Sequence, residues 1–393
     1  MEARRPRSSR RTVIAENLCI EKTDASRARR SPRAAVLAMT ALVSASCAVR
    51  RAPDPAAGAS ACAMDESDTA TLRWQLRTPA HERAALDAWC AAVGPPVFVA
   101  RPAAAGDAIL DSITVIAWNA RGGDGDLDAL LRDLRDGRIT GAPVEHFVVL
   151  LQEVVRSGPD VPAAPPAWAA IARRAGAADL SLRFDVERFA DRHGLALLYA
   201  PSMRNGDHTV PAAEDKGNAI LSTLPLREPT LLELPFERQR RVAVVATIEA
   251  TASNGEPWTL RFASAHLDNR TRAAHLYRSF GAGRTHQARA LADALAGGPP
   301  TAVGADLNTW FSGREAGATR LLRTAFPDPP VLPAERTLPL PGPLPDLRLD
   351  YLLFRLPDAW DARYRVVDAT YGSDHRPLVG SVAISVVSPD SAR

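Results

Sequence analysis

In six places the sequence sets a carboxylate, a carboxamide or an imidazole directly against an apolar run. Asn119 follows "VIAW", and Gln152 and Glu153 follow "VVLL". His266 follows "RFASA"; Asp306 and Asn308 follow "TAVG". Asp350 sits in "RLDYLLF", and Asp374 and His375 precede "RPLVGSVAI". Taken singly, each fits equally well as a turn residue, a cap or a satisfied polar group at a sheet rim. Together they form one chemical set of carboxylates, amides and imidazoles, with no serine on a nucleophile elbow. Cysteine stops at Cys90, so thiol catalysis and a zinc–cysteine site are excluded beyond it. The set suits a hard divalent cation held by oxygen, with imidazoles free for proton or charge work.

The elements that must position these groups can be read from hydrophobic periodicity. Residues 112–119, 146–153, 194–201, 217–223, 241–250, 258–266, 300–308, 348–355 and 376–385 are expected as strands. Helices are expected over 82–90, 126–137, 166–175, 180–192, 285–297 and near 314–324. In the second of these, Leu127, Leu130, Leu131 and Leu134 share one face and Gly137 marks the end. Strands and helices mixed with long β-only stretches imply two sheets packed face to face, with helices outside. No internal repeat is evident. Residues 202–216 and the proline-rich 327–346 carry no periodic signal, and are either functional rims or plain disorder.

Composition limits what the chain can do. Its 393 residues can bury a substantial core. Lysine is nearly absent, with only Lys22 and Lys216, while arginine and alanine abound, a bias expected of a GC-rich genome. Residues 1–46 carry 10 basic and 4 acidic side chains, a net +6 against +3 for the whole chain, so the remainder is −3. A body so near neutral has no bulk attraction to polyanions, although local patches can exist.

Residues 1–46 read as a targeting segment. Arg27, Arg29, Arg30 and Arg33 precede "AAVLAMTALVSAS" and then Cys47. A basic region, a short apolar run and small residues match a secretory signal. The run is short for a membrane span. Small residues before a cysteine resemble a bacterial lipobox, with Cys47 as the lipidated first residue, although Ser44 stands where such boxes prefer leucine. The alternative is a basic arm followed by an ordinary buried helix. Residues 47–110 form an N-terminal extension in which Cys62 and Cys90, one pair in an exported chain, suggest a disulfide. Residues 111–388 are the main domain.

The motifs "WN", "LLQE", "GNAILS", "SAHLD", "GADLN", "RLDYLL" and "GSDHRP" occur in an order that resembles the endonuclease/exonuclease/phosphatase superfamily. That family includes DNase I-like nucleases, abasic-site endonucleases, neutral sphingomyelinases and inositol-polyphosphate phosphatases. The resemblance spans about residues 112–386. It implies a DNase I-like four-layered α/β sandwich, two packed mixed β-sheets flanked by helices. It also implies Glu153 as the principal Mg²⁺ ligand (with Mn²⁺ or Ca²⁺ as substitutes), helped by Asn119 and, directly or through water, by Asp374. Asp306 would orient or deprotonate the attacking water, and Asn308 would position water or phosphate. His375 would contact the phosphate, with Asp350 fixing its tautomer. His266 would stabilise phosphate charge or protonate the leaving group. Ala305 replaces a glycine common in relatives, but no residue with a chemical role is missing.

Arg270 and Arg272, just after His266, are candidate phosphate contacts. Arg238, Arg240 and Arg241 are read as flanking a strand on an Arg-rich surface, with phosphate grip as the alternative. His81, His146, His193 and His286 are read as structural or exposed, and His208 as a loop residue that could touch substrate. The expected activity is hydrolysis of a phosphodiester by an exported monomer with no implied protein partner. DNA or RNA is the favoured substrate, a phospholipid or small phosphoester the alternative, and a silent surface module the non-enzyme alternative.

Overall fold

Strands buried on both faces need nearly unbroken apolar runs, and the chain supplies enough of them for two sheets. The computed structural model describes residues 49–50, 72–76, 83–100, 108–162, 171–172, 184–205, 214–269, 281–310 and 316–385. All lie in one unit, Ser46–Arg393; the other, Met1–Ala45, falls outside the described residues. The strands are β1 (Val49–Arg50), β2 (Arg73–Leu76), β3 (Val97–Val99), β4 (Ser112–Asn119), β5 (Phe147–Ser157), β6 (Ile171–Ala172), β7 (Ala196–Asn205) and β8 (Glu214–Ser222). They continue as β9 (Arg227–Glu233), β10 (Val242–Thr251), β11 (Pro257–His266), β12 (Thr301–Asp306), β13 (Asp350–Arg355), β14 (Asp361–Val366) and β15 (Leu378–Ala383). The helices are α1 (Arg83–Cys90), α2 (Leu127–Arg135), α3 (Val186–His193), α4 (Ala282–Ala294) and α5 (Gly317–Ala325).

One sheet runs β1-β6-β7-β8-β5-β4-β15-β14, with β3 also paired to β7; the other runs β13-β12-β11-β10-β9-β2. Their inner faces meet in a core that includes Val115, Leu150, Ile220, Val244, Phe262 and Ala302. On the outer face of the first sheet, α2 and α3 bury Leu130, Leu131, Leu134 and Phe189 against Ile116, Val149 and Leu197. On the second, α4 and α5 add Leu291 and Leu322. This is the expected four-layered α/β sandwich. Local chemistry sets the helix ends. Asp126 caps α2 by accepting from Ala129 N, and Asp185 caps α3 by accepting from Glu187 N and Arg188 N. Gly194 ends α3 in the left-handed region, at φ 60°.

Several expectations need correction. The helix expected over 166–175 is not formed at Ile171–Ala172, which instead pairs parallel with β7; the rest of that segment lies outside the described residues. The helix expected over 180–192 begins at Val186, after its Asp185 cap. Of the patternless stretch 202–216, residues 202–205 extend β7 and 214–216 extend β8. Charged strand ends there hid the ladder. The strands β9 and β14 were not anticipated. In β14, "DARYRV", charged residues alternate with buried ones, the pattern of a half-exposed strand. Residues 327–346 form neither helix nor strand but pack through Leu338 against Leu347 and Leu349.

The extension is built into the sandwich. Its strand β2 pairs with β9 and its β3 with β7. The amide of Gly94 donates to Asp215 Oδ2 at 2.9 Å. Asp215 is wholly buried and pairs with the buried Arg156 at 2.5 Å, and Tyr199 Oη donates to its other oxygen at 2.7 Å. Cys90 is disulfide-bonded, and Cys62, its expected partner, lies outside the described residues. No described helix is long and apolar enough to cross a membrane.

Under the site the sheets approach closely. A Cβ added to Gly304 would lie 2.7 Å from Ala117 Cβ and 2.8 Å from Leu150 Cδ1, both on the facing sheet. Beside it, Gln152 Nε2 donates to Ser264 Oγ at 2.9 Å, and Ser264 Oγ donates to Leu151 O at 2.8 Å. Gly304→Ala should therefore overpack this seam and cost about 1–3 kcal/mol, read as a lower urea midpoint. Asp215→Ala strands the Arg156 guanidinium and should cost about 3–5 kcal/mol in the same assay.

Candidate active site

Register explains why distant residues converge. Strands β4 and β5 are parallel, and the ladder between them ends at Asn119 and Gln152. Strands β11 and β12 are parallel and end together at His266 and Asp306. Strand β13 runs antiparallel to β12, so its first residue, Asp350, lies opposite Asp306. Strand β15 runs antiparallel to β4, and His375 lies three residues before it, at the same end. All these groups meet at one edge of the sandwich. Backbone irregularities aim two of them. The β5–β8 ladder breaks between Leu151 and Val154, and Glu153 takes φ 54°. Asn308 takes φ 49°. Positive φ is uncommon outside glycine and costs energy that the surrounding fold must supply.

The side chains fall into three adjoining hydrogen-bonded groups: Lys216 with Glu153, His266 and Asn308 with Asp306 and Asn119, and His375 with Asp350. Lys216 Nζ donates to Glu153 Oε2 at 3.0 Å. Glu153 Oε1 has no hydrogen-bond partner among the described residues, His266 Nδ1 being 3.8 Å away. Asn308 Nδ2 lies 2.8 Å from His266 Nε2 and donates to Leu267 O at 2.9 Å. That second bond fixes the amide, so Nε2 of His266 accepts and its proton sits on Nδ1, toward Glu153. Asp306 receives Asn119 Nδ2 at 2.9 Å on one oxygen and Asn308 N at 2.8 Å on the other. His375 Nδ1 donates to Asp350 Oδ2 at 2.7 Å. Thr337 Oγ1 anchors Asp350 by accepting its amide at 3.1 Å. Ser373 Oγ accepts the His375 amide at 3.0 Å and donates to Asn119 O at 2.7 Å, tying the last loop to β4. Asp374 is open to solvent, 3.7 Å from Arg121 Nε and 3.9 Å from His375 Nε2.

Burial and neighbours drive the ionisations apart. Burial would raise Glu153, but Lys216, His266 and Arg241 outweigh it and lower its pKa to about 2. Burial, with Arg241 beside it, pushes His266 well below the usual imidazole value, so it is neutral near pH 7. The cations holding Glu153 there are consequently Lys216 and Arg241. Asp306 is raised to about 7 by burial and by the Asp350 charge. Burial opposes charge on His375, but Asp350, Asp306 and Asp374 overcome it and raise its pKa to about 10. One cleft therefore holds a carboxylate poised near neutrality, an imidazolium, a neutral imidazole and a permanent anion, the separation expected where proton transfer is managed.

All eight motif residues expected at the site come together: Asn119, Glu153, His266, Asp306, Asn308, Asp350, Asp374 and His375. Arg270 and Arg272 lie outside the described residues, as do His81 and His208. Arg240 and Arg241 are not surface residues. Arg240 is buried in a pair with Glu233 at 2.9 Å, and it also donates to Pro201 O and lies over the Trp74 ring, so its charge is satisfied inside. Arg241 is buried beside the site, bonded to Gln239 Oε1 at 2.9 Å. His193 binds Asp128 and His286 binds Glu237, away from the cleft. Sequence reasoning missed Lys216, Arg121 and Ser373, and read Arg241 as a surface residue with phosphate grip only as the alternative. A signal existed for the first, a lone lysine in an arginine-rich body.

Two donor groups could hold a cation. Asp306, Asp350 and His375 bring one donor atom each within 4.8 Å of one another, and Asp350 Oδ1 is buried with no hydrogen-bond partner. A protonated His375, however, has no lone pair to give. Glu153, Asn119 and Asp374 offer oxygen donors on the open side. Glu153 is 24% exposed and Asp374 46%, and the Glu153 carboxylate is ionised with one oxygen unclaimed. An oxygen-only set with one strong carboxylate fits Mg²⁺ or a similar hard ion.

Distant likeness to solved structures is widespread. An endonuclease/exonuclease/phosphatase from Beutenbergia cavernae is 19% identical, covers 70% of this chain and 72% of its own, and has a TM-score of 0.49. The catalytic domain of human Nocturnin is 16% identical over 74% of this chain and 98% of its own, with a TM-score of 0.44. Beta toxin of Staphylococcus aureus, solved with bound magnesium ions, is 16% identical over 69% and 99%, with a TM-score of 0.39. No curated protein matches the sequence. The assignment rests instead on the Endonuclease/Exonuclease/phosphatase family profile, which matches residues 116–375, from within β4 to His375 and well over half of the chain. The chain thus belongs to the endonuclease/exonuclease/phosphatase family, whose members are metal-dependent phosphoester hydrolases.

Proposed function

We propose that this protein is an exported phosphodiesterase that uses Mg²⁺ or a like divalent ion and prefers nucleic acid. The carrying observation is the paired arrangement of Asp306, poised near pH 7, and His375, a stable imidazolium, in one cleft. Asn119 and Asn308 each donate to Asp306, holding its carboxylate in one orientation. Ionised Asp306 accepts the proton of the attacking water. His375, fixed through Nδ1 by Asp350, presents Nε2–H to the phosphate and the departing oxygen. Neutral His266 has its Nε2 engaged by Asn308, so it donates only through Nδ1 and steadies charge rather than yielding a proton. Glu153, Asn119 and Asp374 would hold the divalent ion, which supplies charge neutralisation at the phosphate.

Nucleic acid is favoured because Arg121 is exposed at the cleft mouth beside Asp374, where a flanking phosphate would pass. Export rests on the segment before Cys47, and lipidation of that residue is part of the reading; globomycin-sensitive processing is its test, and an unmodified cytosolic chain refutes it. A panel of plasmid DNA, RNA, sphingomyelin and bis(4-nitrophenyl) phosphate separates the substrate classes. Chelation should abolish turnover, and Mg²⁺ should restore it. Glu153→Gln should lose about 100-fold or more in kcat while melting like the wild type. Asp350→Asn removes the fixed charge behind His375 and should cost about 100- to 10,000-fold in kcat with little change in KM. Activity that survives chelation overturns the metal-dependent reading.

A further inference from the structure

Lysine is almost missing from this chain, two among 48 basic residues. Lys22 lies outside the described residues, and Lys216 sits with Nζ 3.0 Å from Glu153 Oε2. Where arginine serves nearly everywhere else, the site holds an ammonium. The chemical difference between the two is specific. An arginine fork tends to grip both oxygens of a carboxylate. Lysine takes one and leaves the other, which is the state of Glu153, whose Oε1 is unclaimed.

The two cations near Glu153 are also held differently. Arg241 is buried, its guanidinium bonded to Gln239. The Lys216 side chain is 14% exposed, and Glu153 is its one hydrogen-bond partner among the described residues. Its backbone, by contrast, is pinned. A Cβ on the adjacent Gly217 would collide with the Ala200 carbonyl oxygen, and Asp215 on the other side is locked to Arg156. The ammonium can therefore swing on its four-carbon stem from a fixed base.

We propose that Lys216 is a catalytic cation of this site: it guards the Glu153 carboxylate in the metal-free enzyme and passes to a phosphoryl oxygen of the substrate once Glu153 is engaged by a divalent ion. The inference rests on the metal-dependent reading above. With a divalent ion held at Glu153, the Lys216 ammonium would face a like charge, and the anionic oxygens of a substrate in the same cleft would offer it a new partner. Arg241 remains in place throughout. No bond is made or broken in this exchange; only ion pairs trade partners.

The test uses the full chain, with Mn²⁺ binding by calorimetry in the absence of substrate and turnover of bis(4-nitrophenyl) phosphate at saturating Mn²⁺. Lys216→Met should bind Mn²⁺ as tightly as the wild type or a few-fold tighter, yet lose about 100-fold in kcat. Lys216→Arg should weaken Mn²⁺ about tenfold by occupying both carboxylate oxygens. Parallel loss of Mn²⁺ affinity and turnover in a Lys216→Met protein of wild-type melting temperature overturns the proposal, because Lys216 would then only orient Glu153. So does near-normal turnover. If Lys216→Met melts early, Lys216→Gln is judged by the same two readings. A wild-type chain that binds no Mn²⁺ overturns the metal-dependent reading and the exchange together, a failure recognisable because it needs no variant.

Discussion

The approach of the two sheets at Gly304 is the constraint on which the site depends. Asn119, Glu153 and His375 belong to one sheet's strand ends, and His266, Asp306 and Asp350 to the other's. The Asn119–Asp306 hydrogen bond, 2.9 Å long, crosses between them. It can form only if the inner faces pack without a side chain at Gly304, and the Gln152–Ser264–Leu151 bonds hold that gap. The same closeness removes water from the cleft floor, and that desolvation drives Asp306 up and His266 down.

Charge in the cleft is arranged as a relay of opposites. Lys216 and Arg241 face Glu153, and His375 stands among Asp350, Asp306 and Asp374. Burial alone would neutralise every one of these groups. They stay distinct because each is measured against a particular partner: a carboxylate beside two cations remains an anion, while one beside another carboxylate climbs to near neutrality. Backbone strain contributes as well. The positive φ at Glu153 falls where the β5–β8 ladder breaks, and that at Asn308 just past the end of β12; Lys216 donates to the Glu153 carboxylate, and Asn308 Nδ2 donates to Leu267 O.

Much of this was legible in the chain, because polar residues that recur at the ends of several apolar runs mark strand ends gathered at one edge. Strands β4, β5, β10, β11 and β12 announce themselves by runs rich in β-branched and apolar residues. Strand β14 did not, since its alternating arginines and aspartate look like loop composition. The helix expected near 166–175 failed at Ile171–Ala172 because local periodicity cannot foresee that β7 offers a free edge there. Arg240 and Arg241 misled for a related reason. An arginine's composition says surface, and only a buried partner such as Glu233 lets it go inside.

The sequence by itself determined the chemical inventory: oxygen ligands, two site imidazoles, no thiol, and their order along strand ends. It could do so because side-chain chemistry and hydrophobic period are local properties. Tertiary structure decided the assignments. Which carboxylate titrates near 7, which histidine stays charged and which cation faces Glu153 are all set by distances between residues far apart in the chain. Lys216 is 63 positions from Glu153 and reads as a compositional accident until β8 lies beside β5. Coulomb and desolvation energies depend on space rather than on sequence separation, so the fold had to supply them.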